Sequence, residues 1–381
     1  MGAWFDKLTD ANALYRAFLT TRKESQWKCS VQTFGANYLS ILYELQQSLR
    51  LGTYQQKPCY EFVLHERGKV RGIKSLHIRD RVVQKAMCDE VLTPAVLPHL
   101  IYDNGASLKG KGITFTRSRM QCQLERALRR IGLRNLWGYK RDFTKYFDNI
   151  SHDLVVEYFG RYIDDPPFME LFERLVRSYR VDISALSESE RIWLETHPIN
   201  LLTHKPSTEG RFFLNRSVGI GSPLSQIIGT AIPTPMDNQA LQHPGVFSYN
   251  RYMDDSIALS DSKDALEDLL GKDRELAKKL GLFISEKKTE IFPIKKGFTF
   301  LQIKYSFPKE DKILQRLSPA AITRERRRLK KFSHIVGGSM SYREVANAYQ
   351  SWRGNAVRFD SHRSVREMDR LYNHLFIDNF A

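Results

Sequence analysis

The chain has few cysteines and no pattern that would pair them or bind zinc. Its 381 residues include four cysteines, Cys29, Cys59, Cys88 and Cys122, which lie far apart and form no CxxC motif. The ten histidines are scattered, without the spacing of metal ligands. We therefore expect reduced thiols, as in a cytoplasmic protein, and neither a disulfide framework nor a structural zinc site.

Long apolar runs are also missing. No stretch approaches the ~18 apolar residues of a membrane span. Residues 1–18 lack the basic start, apolar run and small-residue cleavage site of a signal peptide. We expect no membrane association and a cytoplasmic location. Hydrophobic residues nevertheless make up 42% of the chain and aromatic residues 12%, which is enough apolar surface to fold a core.

Acidic residues are outnumbered by basic ones. The chain has 59 Lys and Arg against 43 Asp and Glu, which gives a net charge of +16 and a pI near 9.6. Such a positive field attracts polyanions, because each neutralised phosphate releases condensed counterions. Nucleic acid is therefore the leading partner, although composition alone also fits a ribosomal protein or a protein of a membrane surface.

Hydrophobic periodicity and turn residues divide the chain into alternating helices and strands. Residues 182–215 are polar and rich in loop residues, which indicates an irregular surface insertion without a core. The predicted elements are helices over 11–51 and 80–91, a basic hairpin over 60–78, a strand over 138–143 with a helix after Ser151, a helix over 221–228, two strands over 247–259, an amphipathic helix over 263–280, strands over 283–291 and 298–305, and basic helices beyond Leu317.

Three carboxylates occupy positions where two predicted β elements end. Asp142 ends the strand over 138–143, and Asp254 and Asp255 lie at the turn between two strands. An Asp pair in a turn is commonly solvated surface, because Asp favours turns for its backbone hydrogen bonds. Two like charges between apolar strands are costly, however, and hard cations prefer carboxylate oxygens. The pattern therefore favours a site in which Asp142, Asp254 and Asp255 bind two Mg²⁺ ions, or Mn²⁺.

Two motifs around these carboxylates resemble those of a known family. Residues 252–255, Tyr-Met-Asp-Asp, resemble the YxDD box of reverse transcriptases, and residues 142–148 resemble the first catalytic box of that family. Further boxes follow in the family's order between Lys69 and Tyr305. The chain is therefore similar to small prokaryotic reverse transcriptases, a group that includes those of group II introns, retrons, diversity-generating retroelements and phage-defence systems.

The resemblance implies an α+β fold of the right-hand polymerase kind. Fingers, a palm with an antiparallel sheet backed by helices, and a helical thumb are expected in that order. The implied boundaries are a helical lead-in over 1–55, fingers over 56–135, a palm over 136–305 that includes part of the fingers and the insertion, and a thumb over 306–381.

The resemblance also assigns residues to the incoming nucleotide. Lys69 and Arg71 would bind the triphosphate, unless they are solvated hairpin charges. Phe147 would stack under the sugar and exclude a 2′-hydroxyl, with an ordinary core aromatic as the alternative. The side chain of Phe143 is assigned to the core, while its backbone lies near the triphosphate in the family. Tyr252 of the YxDD box belongs to the same substrate pocket.

Residues 219–226, Gly-Ile-Gly-Ser-Pro-Leu-Ser-Gln, resemble a box that in most members is close to PQGxxxSP. Gly219, Ile220 and Gln226 depart from the usual Pro, Gln and Pro, as in enzymes of diversity-generating retroelements and related phage-defence variants. Small residues such as Gly221 would let the backbone approach the nascent base pair. The resemblance places Gly221, Ser225 and Gln226 at the substrate. In the box over residues 281–289, Lys288 is expected to protonate the leaving pyrophosphate.

Contacts with template and primer are expected from three further segments. Residues 104–112 resemble the template-contacting loop, and residues 300–302 resemble the primer-grip turn with Gln302 in place of the usual Gly. Basic residues recur at helical spacing after residue 317 and would form a stripe along a template–primer duplex, unless they are a solvated face. The residues assigned to nucleic acid are Lys109, Lys111, Phe300, Leu301, Arg324, Arg327, Arg328 and Lys331.

The function that follows is DNA synthesis on a dedicated non-coding RNA, in antiphage defence or in mutagenic copying for diversification. A catalytically silent RNA-binding scaffold is the alternative of another class. The expected partners are template RNA, a primer, the cDNA product and dNTPs, and an accessory protein or a homo-oligomer stays open. We expect the insertion over 182–215 to contact a cognate RNA or a partner subunit.

Overall fold

The computed structural model describes residues 2–23, 25–66, 68–202 and 210–378. The N-terminal segment is helical, as predicted, but it forms separate helices rather than one. Phe18, Leu14 and Leu45 are buried and pack in one core with Val82 and Val83 of a later helix. The N-terminal helices are α1 (Ala3–Leu8), α2 (Ala11–Arg22), α3 (Cys29–Ala36) and α4 (Tyr38–Arg50).

The predicted basic hairpin is present. It consists of β1 (Tyr60–Glu66) and β2 (Lys69–Ser75), which pair antiparallel. Arg67, in the predicted turn, lies outside the described residues. Every residue of β1 is exposed, so this hairpin projects from the rest of the fold.

The predicted helix over 80–91 begins and ends earlier than expected. A single π-helical turn over Cys88–Leu92 follows it, and Asn104 forms a bridge to a strand of the central sheet. The helices of this region are α5 (Ile78–Met87), α6 (Thr93–Val96) and α7 (Ile113–Ile131).

The next segment contains the first strand of the central sheet and most of the helices that surround it. Ser151 precedes a helix as predicted, but its side chain makes no capping hydrogen bond. The elements are β3 (Trp137–Arg141), α8 (Tyr146–Asn149), α9 (His152–Gly160), α10 (Pro166–Arg177), β4 (Val181–Asp182), α11 (Glu188–Thr196), β5 (Phe213–Leu214), α12 (Pro223–Ala231) and α13 (Thr234–Gln242).

The expectation of an irregular insertion without a core over 182–215 is wrong. Ser187 and Glu190 form a capping box at the start of α11, and β4 pairs with β5. Leu194 and Ile199 are buried in a small separate core. Residues 203–209 lie outside the described residues. The S-x-x-E pattern of a capping box was present in the sequence and predicts such a helix.

The C-terminal part of the chain completes the sheet and adds a helical unit. The strand expected over 283–291 is shorter, because residues 281–289 follow the end of β3 through single backbone contacts instead of a ladder. The elements are β6 (Ser248–Tyr252), β7 (Asp255–Ser260), α14 (Lys263–Lys279), β8 (Glu290–Pro293), β9 (Phe298–Phe300), β10 (Ile303–Lys309), β11 (Lys312–Leu317), α15 (Pro319–Ile335), α16 (Tyr342–Ala356) and α17 (His362–Phe376).

The central sheet is antiparallel with the strand order β6-β7-β3-β8. Helix α14 covers one face of it, since Leu266 and Leu269 are fully buried with Tyr139 of β3 and Tyr249 of β6. A second sheet, β11-β10-β9, leads into helices α15 to α17, which have a core of their own around Leu329 and Tyr349. The predicted α+β class and the antiparallel sheet are confirmed.

Candidate active site

The sheet register brings the three carboxylates to one edge. Arg141 pairs with Ser256, so the next positions along the two strands, Asp142 and Asp255, face each other. Asp254 lies in the turn between β6 and β7, where Met253 has a left-handed φ of 54°. Facing positions on antiparallel neighbours lie roughly 5 Å apart. Asp142 and Asp255, 113 positions apart in the chain, thus become neighbours, as the carboxylate pattern predicts.

Lysines pair with two of these carboxylates. Lys288 donates to Oδ2 of Asp142 at 2.8 Å, and Nζ of Lys140 lies 3.8 Å from Oδ1 of Asp255. Lys288 is held there by its chain, since the backbone N of Ser285 donates to the carbonyl of Asp142 at 2.9 Å. Lys140 was not among the predicted site residues. Its position two residues before Asp142 could have identified it, because alternate residues of a strand share a face.

The electrostatics of the carboxylates favour a bound cation. Burial, together with the negative charges of Asp255 and Asp142, raises the pKa of Asp254 to about 6 against the opposing charge of Lys69. Burial also raises the pKa of Asp255, against the positive charge of Lys140. Oδ1 of Asp142 is buried without a hydrogen-bond partner among the described residues. Buried like charges and an unused carboxylate oxygen are what a divalent cation would satisfy.

The three carboxylates are neighbours, but their side chains do not form a compact group of metal ligands. In the described ranges, no three His, Cys, Asp or Glu side chains form a group that could hold a metal ion. The residue types and their shared edge fit a hard divalent cation.

A buried network of charges supports the site from behind. Arg141 donates to Asp273 at 2.6 Å and to the hydroxyl of Tyr249 at 2.9 Å, and both members of the ion pair are almost fully buried. The Tyr249 hydroxyl in turn donates to Asp237 at 2.9 Å. The network thus links β3, which ends directly before Asp142, to α13 and α14.

The second half of the network reaches the turn that carries Asp254. Arg251 forms a two-pronged ion pair with Asp237, with both side chains fully buried. It also donates to the carbonyl oxygen of Met253 at 3.0 Å. Sequence reasoning missed these residues, since an arginine in a strand does not reveal whether a distant Asp pairs with it.

Of the two hairpin residues expected at the triphosphate, Lys69 acts on the carboxylates. It is exposed, and its positive charge opposes the rise in pKa that burial causes at Asp254 and Asp255. Arg71 is half-buried, and its Nε has no hydrogen-bond partner in the described part of the chain. Lys74 forms an ion pair with Glu61 across the hairpin at 3.3 Å. These positions are compatible with the predicted role of Lys69 and Arg71.

Three aromatic residues flank the carboxylates. Phe143 is buried and stacks with Tyr146 at 5.2 Å, in agreement with its assignment to the core. Phe147 is half-buried and contacts Tyr146 edge-on at 5.2 Å, so part of its ring is accessible. Tyr252 pairs with Asp255 at the end of the β6–β7 ladder and is also half-buried.

Two glycines of the box over 219–226 lie close to other parts of the fold. Gly219 and Gly221 both have positive φ, and a Cβ on Gly219 would lie 2.6 Å from the ring of Tyr179. A Cβ on Gly221 would lie 3.1 Å from Ile73 and from the backbone of Lys74. Gly221 therefore lets its segment lie close to strand β2 of the hairpin. The contact includes a backbone hydrogen bond in which the N of Lys74 donates to the carbonyl of Ile220 at 2.9 Å.

Ser225 and Gln226 of this box differ in accessibility. The Ser225 side chain is fully buried, and its hydroxyl donates to the carbonyl of Ser222 at 2.8 Å. It therefore stabilises the start of α12, which corrects its expected substrate contact. Gln226 is exposed and accepts a hydrogen bond from Ser107 at 2.9 Å, which links α12 to the loop over 104–112.

Lys109 and Lys111 of that loop behave differently. Lys109 is exposed. The ammonium of Lys111 donates to the carbonyls of Tyr102 and Asn104, at 2.6 and 3.2 Å, and burial lowers its pKa. Lys111 therefore holds the loop together, and its contact with phosphate stays a prediction.

The expected primer-grip turn is a two-residue hairpin between β9 and β10. Leu301 and Gln302 have φ values of 46° and 68°, so a non-glycine residue occupies the position where the family has Gly. Arg117 donates through two nitrogens to the carbonyl of Leu301, and Gln302 accepts from Arg324 at 2.8 Å. Phe300 is fully buried, so only the turn itself is available to a primer.

The residues of the expected basic stripe on α15 fall into two kinds, exposed ones and ones bonded to other parts of the protein. Arg327 and Lys331 are exposed, whereas Arg324 is tied to the turn and Arg328 donates to Glu325 and to the carbonyl of Ala348. Two of the four predicted phosphate contacts are therefore occupied by protein partners. Arg327 and Lys331 keep the predicted role.

None of the helices in the described ranges has the length and apolar character that a membrane crossing requires. Three of the predicted site elements, the carboxylates, Lys288 and the hairpin tip, lie around the same sheet edge, and Phe147 packs against Tyr146 a few residues after Asp142.

Among curated proteins, the chain is similar to one from yeast and one from a bacterium. The sequence is 28% identical to the "Putative COX1/OXI3 intron 1 protein" of Saccharomyces cerevisiae over 156 residues, which is 40% of this chain and 17% of the yeast protein. It is 24% identical to "Protein YkfC" of Escherichia coli over 285 residues, 68% of this chain and 69% of that protein. The chain thus spans a small part of the yeast protein.

Two of the solved structures that align with this chain are telomerases. Apo telomerase from Candida tropicalis aligns with a TM-score of 0.45 and 13% identity over 68% of this chain and 49% of that chain. Telomerase from Candida albicans, in complex with a fragment of telomeric RNA, aligns with a TM-score of 0.45 and 13% identity over 74% and 51%.

A sequence profile described as "Reverse transcriptase (RNA-dependent DNA polymerase)" matches residues 56–305, which include Asp142, Asp254, Asp255 and Lys288. The match spans 250 of the 381 residues. On this evidence the chain belongs to the reverse transcriptase (RNA-dependent DNA polymerase) family.

Proposed function

We propose that this chain is an RNA-directed DNA polymerase that copies a template RNA into cDNA from dNTPs. The observation that carries the proposal is the sheet edge at which Asp142, Asp254 and Asp255 meet beside Lys288. Three carboxylates would hold two divalent cations, which we propose are Mg²⁺ with Mn²⁺ as a substitute. Bound there, the cations supply activation of the 3′-hydroxyl and neutralisation of the charge that grows on the phosphate.

The chain's own residues orient the nucleotide. Lys69 and Arg71 at the hairpin bind the triphosphate, because the charge of Lys69 acts on Asp254 and Asp255 and the Nε of Arg71 has no hydrogen-bond partner among the described residues. The ring of Phe147 lies under the sugar and leaves no space for a 2′-hydroxyl. Lys288 is poised next to Asp142 and gives a proton to the departing pyrophosphate, which then leaves as a weaker base.

Nucleic acid follows the basic surfaces on either side of this edge. We propose that Lys109 contacts template phosphate, that the Leu301 turn supports the primer end, and that Arg327 and Lys331 lie along the duplex. In this arrangement residues 56–135 form the fingers, 136–305 the palm and 306–381 the thumb, with residues 1–55 as a helical lead-in.

The test is primer extension on an RNA template with dNTPs and Mg²⁺, comparing the chain with a variant that carries Asp254→Asn and Asp255→Asn. We expect incorporation to fall to background in the variant, because both carboxylates needed for cation binding are lost. Asp311→Asn, in the exposed turn between β10 and β11, is the matched control and should retain activity. Equal and absent incorporation in all three proteins would favour the silent RNA-binding scaffold.

The template is proposed to be a dedicated non-coding RNA, and the biological role to be antiphage defence in the cytoplasm. The box over 219–226 supports this reading, since its departures from PQGxxxSP resemble small bacterial reverse transcriptases of that kind. The same departures favour mutagenic copying for diversification as the second role. Sequencing the cDNA made by protein purified with its cellular RNA separates the two, because diversification predicts copies of a variable protein gene.

The insertion over 182–215 is proposed to contact a cognate RNA or a partner subunit. Its exposed Trp193 stacks on His197 at 4.1 Å, and Arg191 lies 3.9 Å from the exposed ring of Phe212. Cationic and aromatic groups of this kind suit both partners. A Trp193→Ala variant with unchanged RNA affinity and unchanged assembly would remove the idea.

A further inference from the structure

Gly229 occupies a buried position in the interior of α12, where glycine is disfavoured relative to alanine. A Cβ there would lie 2.8 Å from Cε1 and 3.2 Å from Cζ of Phe147, and 3.4 Å from Cε1 of Tyr146. The first of these distances is too short for any real contact. The helix therefore makes room for the Phe147 ring by having no side chain at this residue.

Only one of the two rings is able to yield. Tyr146 is fixed, because its hydroxyl donates to the carbonyl of Gly229 at 2.8 Å and its ring stacks on Phe143. The backbone of Phe147 is also fixed, since its carbonyl accepts from the N of Val218 at 3.1 Å. The Phe147 ring is half-buried and has an open side. Any side chain at residue 229 would thus push this ring away from α12.

We propose that Gly229 is a positioning residue that sets how far the Phe147 ring extends into the sugar pocket, and so determines the selection of dNTPs over rNTPs. The inference rests on the proposed function, in which Phe147 meets the sugar. Gly229→Ala moves the ring into the space of the deoxyribose. The affinity for dNTPs falls as a result, while binding of template and primer stays the same.

A second glycine provides a matched control. Gly271 also lies inside a helix, α14, but a Cβ there would meet nothing within 4 Å. Gly271→Ala makes the same chemical change in the same secondary structure without touching a ring. It should leave nucleotide kinetics unchanged.

The experiment is single-nucleotide incorporation on an RNA template, with dTTP and UTP as the nucleotides. The proteins are the unmodified chain, Gly229→Ala, Phe147→Val, the double variant and Gly271→Ala. We expect Gly229→Ala to raise the KM for dTTP by about tenfold, the effect of one methyl group in a tight pocket. In the double variant the KM should return to that of Phe147→Val, because the two side chains no longer collide.

The outcomes test the role of Gly229 separately from the proposed role of Phe147. If Phe147→Val does not increase the use of UTP relative to dTTP, the role of Phe147 in the proposed function fails. If Phe147→Val increases it but Gly229→Ala has the same KM for dTTP as Gly271→Ala, only the inference fails. A drop in kcat and in template–primer affinity without a change in KM would also overturn it.

A folding defect in Gly229→Ala is covered by a second pair of variants. Leu at residue 147 lacks Cε1 and Cζ, the two Phe147 atoms nearest to a Cβ at residue 229, so Phe147→Leu and Gly229→Ala/Phe147→Leu should have the same KM for dTTP. A rise in KM when Gly229→Ala is made beside Phe147, but not when it is made beside Leu, supports the inference. A rise of similar size in both backgrounds overturns it, because the effect then does not pass through the Phe147 ring.

Discussion

The central sheet and helix α15 both carry many positive charges, but they place them in opposite surroundings. Arg141 and Arg251 of the sheet are fully buried, and each forms an ion pair with a buried Asp. Arg327 and Lys331 of α15 are exposed. A buried charge has a fixed partner and therefore a fixed position, whereas an exposed charge is mobile and screened.

The difference separates two tasks of positive charge in one molecule. The buried arginines hold the strands that lead into Asp142 and into the turn of Asp254, so they set distances at the carboxylate edge. The exposed ones create a field for phosphates without fixing any distance. Charge removal should therefore affect stability in the sheet and binding on α15, and the following predictions test this division.

The largest effect on stability is expected for Asp237→Ala. The change leaves the guanidinium of Arg251 buried without its two-pronged partner, and it also removes the acceptor of the Tyr249 hydroxyl. Breaking a buried ion pair from one side costs about 3–5 kcal/mol. Urea unfolding followed by circular dichroism measures the loss.

The matched control is Glu157→Ala, which breaks the pair with Arg161 on the surface of α9, where both side chains are more than half exposed. Its cost should stay below about 1 kcal/mol. If the two variants lose similar stability, burial does not decide how much an ion pair contributes, and the proposed difference between buried and exposed charges is wrong.

Lys288 is an intermediate case, since a half-exposed ammonium pairs with a nearly buried carboxylate. Lys288→Met should lower kcat for nucleotide incorporation by about 100-fold, the contribution of a positioned general acid. The folding stability should change little. The neighbour Lys287 is exposed, and Lys287→Met should retain near-normal kcat. Equal losses in the two variants would assign the effect to net charge rather than to position.

The sequence predicted the carboxylate edge because its signals are local. The tetrapeptide over 252–255 requires only a tight turn between two strands, and the alternation of β3 and β7 then fixes which residues face each other. The hairpin β1–β2 and the amphipathic helix α14 were predictable for the same reason, since periodicity within one element defines its buried face.

What could not be predicted depends on partners that are distant in the chain. Arg141 and Asp273 are separated by 132 residues, and nothing near either one indicates a buried pair. Lys111 and Arg328 look like phosphate contacts in the sequence, but carbonyl oxygens of the fold occupy them. A long basic side chain reaches several acceptors, so its sequence position does not select one.

His152 offers a third situation, a titratable side chain that is buried and uncharged. Its Nε2 donates to the carbonyl of Ser217, and burial lowers its pKa to about 4. Because an unfolded histidine titrates near 6.5, the unfolded chain binds more protons between these values. Stability is then fully present above pH 6.5 and is lost as the pH falls toward 4.

The loss attributable to His152 should be on the order of 1–3 kcal/mol. His152→Gln removes the titration but keeps a donor for the Ser217 carbonyl. The difference in unfolding free energy between the two proteins, measured from pH 7 to pH 4.5, should therefore shrink as the pH falls. A constant difference would show that His152 is not kept neutral by the fold.

The smallest effect on stability, and a selective one on binding, is expected for Arg327→Gln and Lys331→Gln. Both side chains are exposed on α15, so unfolding should change by less than about 0.5 kcal/mol. Each proposed phosphate contact contributes about one unit to the slope of log affinity against log salt concentration. The double variant should lose up to about two units of slope on an RNA–DNA duplex.

Lys278→Gln with Lys279→Gln removes the same charge from exposed positions of α14, the helix that covers the sheet. If this control flattens the salt dependence equally, the positive field is shared by the whole surface and α15 has no special place beside the duplex.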